Sequence, residues 1–267
     1  MHEDLSRAFS LEGQVAVITG GASGIGLETG RVFARAGARV MLADIDAAGL
    51  TAALAEMSAA GSGARATRVD VAQRAEVDAL ADEALRALGR LDIWVNCAGI
   101  VLYKQVLEAS EADVERMLAI NVKGTYWGCA AAGRAFKAQG RGVILNVSST
   151  GADSCGPGLS LYSLSKSAVN ALTRTCAREF GQFGVRVNAV APGWVDTPLA
   201  NTRFHNAAGD IDPQLRERGL EERAKASPLG ITGTPRDIAL AMLYLASDAG
   251  RFVTGQVIRS NGGVSMP

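Results

Sequence analysis

Short apolar runs alternate with longer helix-patterned segments along nearly the whole chain, and that rhythm limits the possible folds more than any other feature. Val15–Thr19, Arg39–Ala43, Ala64–Val69, Leu91–Asn96, Gly142–Val147, Val185–Val190 and Val257–Ser260 read as strands. Helical candidates lie between them at Gly24–Ala36, Ala47–Ala60, Arg74–Leu88, Glu111–Ala138, Tyr162–Phe183 and Pro235–Ser247. Strands that are apolar throughout, separated by helix-length connections, belong in a parallel sheet covered on both faces. The pattern predicts an α/β, doubly wound fold. With 267 residues, 48% of them hydrophobic, the chain can bury one large core, and no repeat or linker divides it. One domain over residues 1–267 is the expectation.

The rhythm breaks once. Asp196 to Gly230 carries Pro198, Asn206-Ala207-Ala208-Gly209, Pro213 and a charged run from Arg216 to Lys225. An excursion of that length inside an α/β domain is expected to serve function, here as a substrate loop at about 196–230 with a short helix. A solvated surface insertion is the alternative.

Charge excludes some partners. Lys+Arg and Asp+Glu both number 27, so the formal net charge is zero and nothing draws the chain to nucleic acid or an anionic membrane. The first eleven residues lack the apolar core of a signal peptide, and apolar stretches such as Ile238–Ala246 are too short to span a bilayer. Cys97, Cys129, Cys155 and Cys176 are scattered, with no CxxC pair, and His2 and His205 are the only histidines. Free thiols in a cytoplasmic protein and no metal site are expected.

The first strand runs into Thr19-Gly20-Gly21-Ala22-Ser23-Gly24-Ile25-Gly26, followed by a helix pattern. Glycines there let the backbone turn tightly and approach a pyrophosphate at a helix N-terminus. The spacing is not the commonest dinucleotide fingerprint, and a plain strand-to-helix corner is the alternative. Asp44 ends the next strand 18 residues after Gly26, near the spacing at which an acidic residue meets the adenosine ribose. Its carboxylate would repel a 2′-phosphate by roughly 4 kcal/mol per unit charge pair. NAD is therefore expected over NADP, although Asp44 could also cap the following helix. Asp70 and Val71 end the third strand, with Asp70 placed for the adenine edge or for a cap. Asn96-Cys97-Ala98-Gly99 closes the fourth with small residues.

Tyr162 and Lys166 stand four apart on a helix and share a face. A tyrosine base needs its reference value of about 10 lowered by about three units, roughly 4 kcal/mol. One ammonium about 4 Å away supplies that at an effective dielectric near 20. The positive charge of oxidised nicotinamide would add to it. Ser149, ending the preceding strand, can hold the substrate oxygen while Tyr162 exchanges its proton, and Asn121 could bind a water linking the lysine to solvent.

Taken together these segments resemble the classical short-chain dehydrogenases/reductases from about Leu11 to Gly263. Gly20, Gly24, Ile25 and Gly26, with Ser23, match the cofactor loop, and Asn96, Ala98 and Gly99 match the central strand motif. Asn121, Ser149, Tyr162 and Lys166 match the catalytic tetrad in order and spacing. Pro192-Gly193-Trp194-Val195-Asp196-Thr197 matches the segment around the nicotinamide, with Val195 and Thr197 near the carboxamide. The resemblance implies a Rossmann-like domain with a seven-stranded parallel sheet. It also implies a homo-oligomer, dimer or tetramer, built through the long helices at Glu111–Ala138 and Tyr162–Phe183. Two departures stand out: Cys97 where Asn is frequent, and Asn261 where Asp is common.

Substrate is the open question. The expected activity is hydride transfer between NAD(H) and a secondary alcohol or ketone of a small hydroxylated compound, a polyol or sugar, which Asp153 and Ser154 suggest. Pro157, Leu159, Trp194 and Leu199 could instead line an apolar site. A 3-oxoacyl thioester reductase is the second enzymatic reading, and a non-catalytic NAD-binding regulatory protein the reading from another class.

Overall fold

The computed structural model describes residues 3–59, 61–206 and 209–267. Its elements in chain order are α1 (Glu3–Ala8), β1 (Val15–Thr19), α2 (Gly24–Arg35), β2 (Arg39–Asp44), α3 (Ala47–Ala59), β3 (Arg65–Arg68) and α4 (Arg74–Leu88). Then come β4 (Ile93–Asn96), α5 (Glu111–Met117), α6 (Gly124–Gln139), β5 (Gly142–Val147), α7 (Ser160–Phe180) and β6 (Val185–Val190). α8 (Pro198–Asn201), α9 (Pro213–Ala226), α10 (Pro235–Ala246) and β7 (Val257–Ile258) complete the chain.

All seven strands join one parallel sheet in the order β3-β2-β1-β4-β5-β6-β7. The chain winds outward from β1 to β3, returns to β4 and winds the other way, so β1 and β4 flank the switch point where such sheets open a crevice for ligands. Alternate strand residues feed opposite faces. Ala16, Ile18, Val40, Leu42, Ile93 and Val95 pack with Phe33 of α2, Leu50 and Met57 of α3, and Ile238, Met242 and Leu245 of α10. Val15, Val17, Met41, Trp94 and Ile144 pack on the other face with Leu80 of α4, Phe136 of α6 and Ala177 of α7. Each fully buried side chain of this size contributes about 1.5–3 kcal/mol.

The architecture is the expected one, with four local differences. The run expected as one helix from Glu111 to Ala138 is broken by a π-helical turn over Leu118–Lys123, which carries Asn121. The 196–230 excursion holds two helices, α8 and the 14-residue α9, rather than one short helix. β7 is only two residues long, and α1 was not foreseen. Of the expected segments, Ala60, Ala207 and Ala208 lie outside the described residues.

Candidate active site

The glycine loop is shaped by contacts that leave no room for side chains. A Cβ on Gly26 would lie 2.0 Å from the Gly20 carbonyl oxygen, and one on Gly20, whose φ is +68°, would lie 2.7 Å from the Ala98 nitrogen. Gly24, at φ +53°, faces Thr197, whose Cγ2 would sit 3.3 Å from an added Cβ. The loop therefore turns back on itself between the end of β4 and the 192–197 segment. Ser23 is exposed at the N-terminus of α2 and its hydroxyl makes no capping bond to the helix. Thr19, buried at the end of β1, stitches the crevice: its Oγ1 accepts the Cys97 and Ala98 N–H groups at 3.2 and 3.3 Å.

Asp44 accepts the Ala22 N–H at 3.0 Å through one carboxylate oxygen and the Asp46 N–H at 3.1 Å through the other. It braces the loop at the end of β2 without being the cap of α3, since Asp46 accepts the Gly49 N–H at 3.0 Å. Arg39 is at the opposite end of β2 and donates to the Leu88 carbonyl. Asp70 shapes a turn by accepting the Ala72 N–H at 2.9 Å, while Gln73 is the N-cap residue of α4 and Val71 is buried. A tight cradle at a helix N-terminus, with a carboxylate one strand away, fits a dinucleotide.

Not every expected cofactor residue offers its side chain. Asn96 is buried: its Oδ1 accepts the Trp94 indole N–H at 2.7 Å and its Nδ2 donates to Asn146 at 2.9 Å. Thr197 caps α8 through its hydroxyl, accepting the Ala200 N–H at 3.2 Å. Val195 is buried and paired with Gly233. Pro192 accepts the Thr150 N–H at 3.0 Å, and Gly193 donates to the Ser260 carbonyl at 3.2 Å, packing so close to Asn261 that an added Cβ would fall 2.8 Å from its oxygen. These contacts hold the strap at 192–197 against the Ser149 loop and the C-terminal turn.

Tyr162, Ser149, Lys166 and Asn121 do come together. Ser149 faces the Tyr162 side chain closely enough to favour its phenolate, and its Oγ accepts the Gly151 N–H at 3.0 Å. An added Cβ on Gly151 would lie 3.3 Å from the Tyr162 ring and 3.4 Å from Ser149 Oγ, so this glycine lets the two approach. Lys166 is buried, donates to the Val147 carbonyl at 2.8 Å, and its Nζ lies 5.6 Å from the Tyr162 ring centroid. Burial draws Lys166 down to about 8. Burial also pushes Tyr162 up to about 12, against the lowering effect of the Ser149 hydrogen bond. The Asn121 side chain clamps the loop after β4, accepting the Ile100 N–H and donating to the Ile100 carbonyl, both at 2.9 Å, and also donating to Ser165 Oγ at 3.1 Å. Its side-chain amide is thereby committed to protein partners.

Two expectations about the substrate pocket change. Asp153 is tied to Arg259 through two bonds of 2.8 and 3.1 Å, so its carboxylate is spoken for. Residues that the sequence did not single out line the same side of the crevice: Tyr103, Arg203 and Arg223 are brought together from three separate segments. Among the described residues no group of three His, Cys, Asp or Glu side chains could hold a metal ion, and no helix is long and apolar enough to cross a membrane.

Comparison with known proteins agrees with this geometry. A family model described as enoyl-(acyl carrier protein) reductase matches residues 20–265. The chain is 40% identical over 267 residues to galactitol 2-dehydrogenase (L-tagatose-forming) of Cereibacter sphaeroides, covering 98% of this chain and 99% of that protein. It is 34% identical over 254 residues to a 3-oxoacyl-(acyl-carrier-protein) reductase of Thermotoga maritima, covering 95% and 98%. Among solved structures, a 7α-hydroxysteroid dehydrogenase in complex with NADH and 7-oxo glycochenodeoxycholic acid superposes with a TM-score of 0.87 at 34% identity, covering 97% of this chain and 96% of that one.

Proposed function

The chain belongs to the short-chain dehydrogenase/reductase family, and from that premise we propose that it oxidises a secondary alcohol of a small hydroxylated substrate with NAD. The observation that carries this reading is the close approach of Ser149 and Tyr162 across Gly151, with Lys166 beneath the ring and the glycine cradle in the same crevice. NAD supplies the hydride acceptor or donor. Gly20, Ser23, Gly24, Ile25 and Gly26 would hold its pyrophosphate, Asp44 its ribose hydroxyls, Asp70 and Val71 the adenine side, and Asn96, Ala98, Gly99 and the 192–197 strap the remainder. Asp44 supports NAD over NADP, because a 2′-phosphate beside it meets roughly 4 kcal/mol of repulsion per unit charge pair and Arg39 is too distant to offset it.

The protein's own groups carry the proton. Ser149 donates to the substrate oxygen and fixes its position. Tyr162, as the phenolate formed once its own proton has passed to solvent, takes the hydroxyl proton at Oη during oxidation, and as the phenol it gives that proton back in the reverse direction. Lys166 lies under the ring, and Asn121 holds the loop that carries Gly99, whose added Cβ would lie 3.2 Å from Asn121 Oδ1 and 3.6 Å from Lys166 Nζ. The whole chain works as one catalytic domain, with 196–230 covering the substrate.

The polyol or sugar reading draws support from the similarity to the galactitol enzyme, and the thioester reductase reading from the similarity to the 3-oxoacyl reductase. Asp44 favours the former, since reductive biosynthesis usually draws on NADPH. Four free cysteines fit a reducing cytoplasm. A homodimer or homotetramer built on the α6–α7 face is supported by the exposed Tyr126 and by a cleft of about 510 Å³ between those helices. Following NADH and NADPH formation across polyols, sterols, secondary alcohols and 3-hydroxyacyl thioesters tests the reading. Polyol oxidation with NAD is expected; preference for NADP or for a thioester contradicts it, and no turnover of any compound favours a non-catalytic NAD-binding protein.

A further inference from the structure

Beside the Ser149–Tyr162 pair stands a second group of side chains that proton transfer leaves without a task. Tyr103, after β4, Trp194, after β6, and Phe204, between α8 and α9, form an aromatic wall. The Arg203 guanidinium lies 5.4 Å from the Tyr103 ring centroid, Arg223 of α9 lies 4.9 Å from that of Trp194, and the Trp194 and Phe204 rings are 5.7 Å apart. Backbone bonds tie the wall to the reaction centre. Lys104, next to Tyr103, donates to the Gly158 carbonyl at 2.9 Å and pairs with Leu159, three residues ahead of Tyr162. Thr150, next to Ser149, donates at 3.0 Å to Pro192, two residues before Trp194. Both arginine charges lie close enough to Tyr103 to favour its phenolate, and Tyr103 lies close enough to Tyr162 to push it up.

The two guanidinium groups on this wall have no ion-pair partner among the described residues. Of the other cations of the 196–230 segment, Arg216 pairs with Asp196 at 2.5 Å, Lys225 pairs with Glu221 at 3.8 Å, and Arg218 donates to the Gln214 carbonyl of its own helix. Neither Arg203 nor Arg223 forms an ion pair with a carboxylate of the described residues; Tyr103 and, more weakly, Glu222 favour the Arg223 charge from beyond ion-pair distance. Burial and the neighbouring Arg203 charge both push Arg223 down. Arg203 is exposed and Arg223 half-buried, and an anion reaching both would relieve the repulsion that Arg203 exerts on Arg223. Stacking on a ring also leaves the N–H edge of a guanidinium available to a planar anion. The Trp194 indole N–H, buried and without a partner in the structure, adds a donor to the same wall.

We propose that Arg203 and Arg223 hold a carboxylate of the substrate, so that the preferred substrates are hydroxylated carboxylic acids rather than neutral polyols. The inference rests on the dehydrogenase reading above and narrows it. Polyols and hydroxy acids of the same chain length, assayed by NADH formation and by calorimetric titration into enzyme loaded with NADH, test it. The wild type is expected to favour the acid by at least about tenfold in kcat/KM, and Arg203→Gln and Arg223→Gln each to reduce that acid-to-polyol ratio about tenfold, chiefly through KM, the low end for a charge-assisted hydrogen bond. Arg218→Gln, on the exposed part of α9, is expected to leave the ratio unchanged. Oxidation of polyols with no preference for acids, and no calorimetric binding of acids, overturns this inference alone. Failure of every probe to bind or turn over, with no NADH binding, overturns the dehydrogenase reading as well.

Discussion

Burial sets the ionisation of the two groups nearest the chemistry, and it moves both toward their neutral forms. Lys166 falls from an ordinary 10.5 to about 8, and Tyr162 rises from 10.0 to about 12. Lys166 therefore does less for the phenolate than an ammonium about 4 Å away would. Its Nζ sits against the ring and is bound to the Val147 carbonyl, and the group that favours the phenolate directly is Ser149. The lysine has a measurable signature. Below pH 8 the folded protein must keep a buried charge that the unfolded chain keeps in water, whereas above 10.5 both forms are neutral. The unfolded state thus binds more protons between these values, and the contribution of Lys166 to stability rises with pH across that window. The melting temperature of Lys166→Met minus that of wild type is expected to fall as pH rises from 8 to 10.5; a difference flat in pH contradicts the account.

At the scale of elements, the glycine loop is the most demanding piece of backbone. With an added Cβ on residue 26 only 2.0 Å from the Gly20 oxygen, Gly26→Ala must push the loop open. It is expected to cost about 1–3 kcal/mol of stability through overpacking and to weaken NAD binding at least tenfold in calorimetry; unchanged affinity would remove the cradle from the site. This loop, the strand-helix alternation and the Ser149, Tyr162 and Lys166 cluster were legible in the sequence because each depends on local spacing. The break between α5 and α6 was not. A π turn inserts without disturbing the apolar pattern around it, so Glu111–Ala138 reads as continuous while Asn121 is in fact rotated onto Ile100. The side-chain partners of Asn96 were not legible either: its amide is bonded to Trp94 and Asn146, so it shapes the end of β4 from within.

For the whole molecule, function follows from topology. The ends of β1, β2, β4, β5 and β6 meet at one edge of the sheet, bringing Gly20, Asp44, Asn96, Ser149 and Pro192 to a single crevice although they span most of the chain. Tyr103, Arg203 and Arg223 converge there too, and no local pattern could reveal it, because their association exists only once the 196–230 segment folds over the loop after β4. Tyr162→Phe tests the central claim most directly, since it deletes one oxygen and leaves the cradle and the packing in place. NAD affinity by calorimetry is expected to stay close to wild type while kcat falls at least about a hundredfold, the lower range of acid–base contributions. Turnover near the wild-type rate with NAD still bound would show that the proton moves by another group.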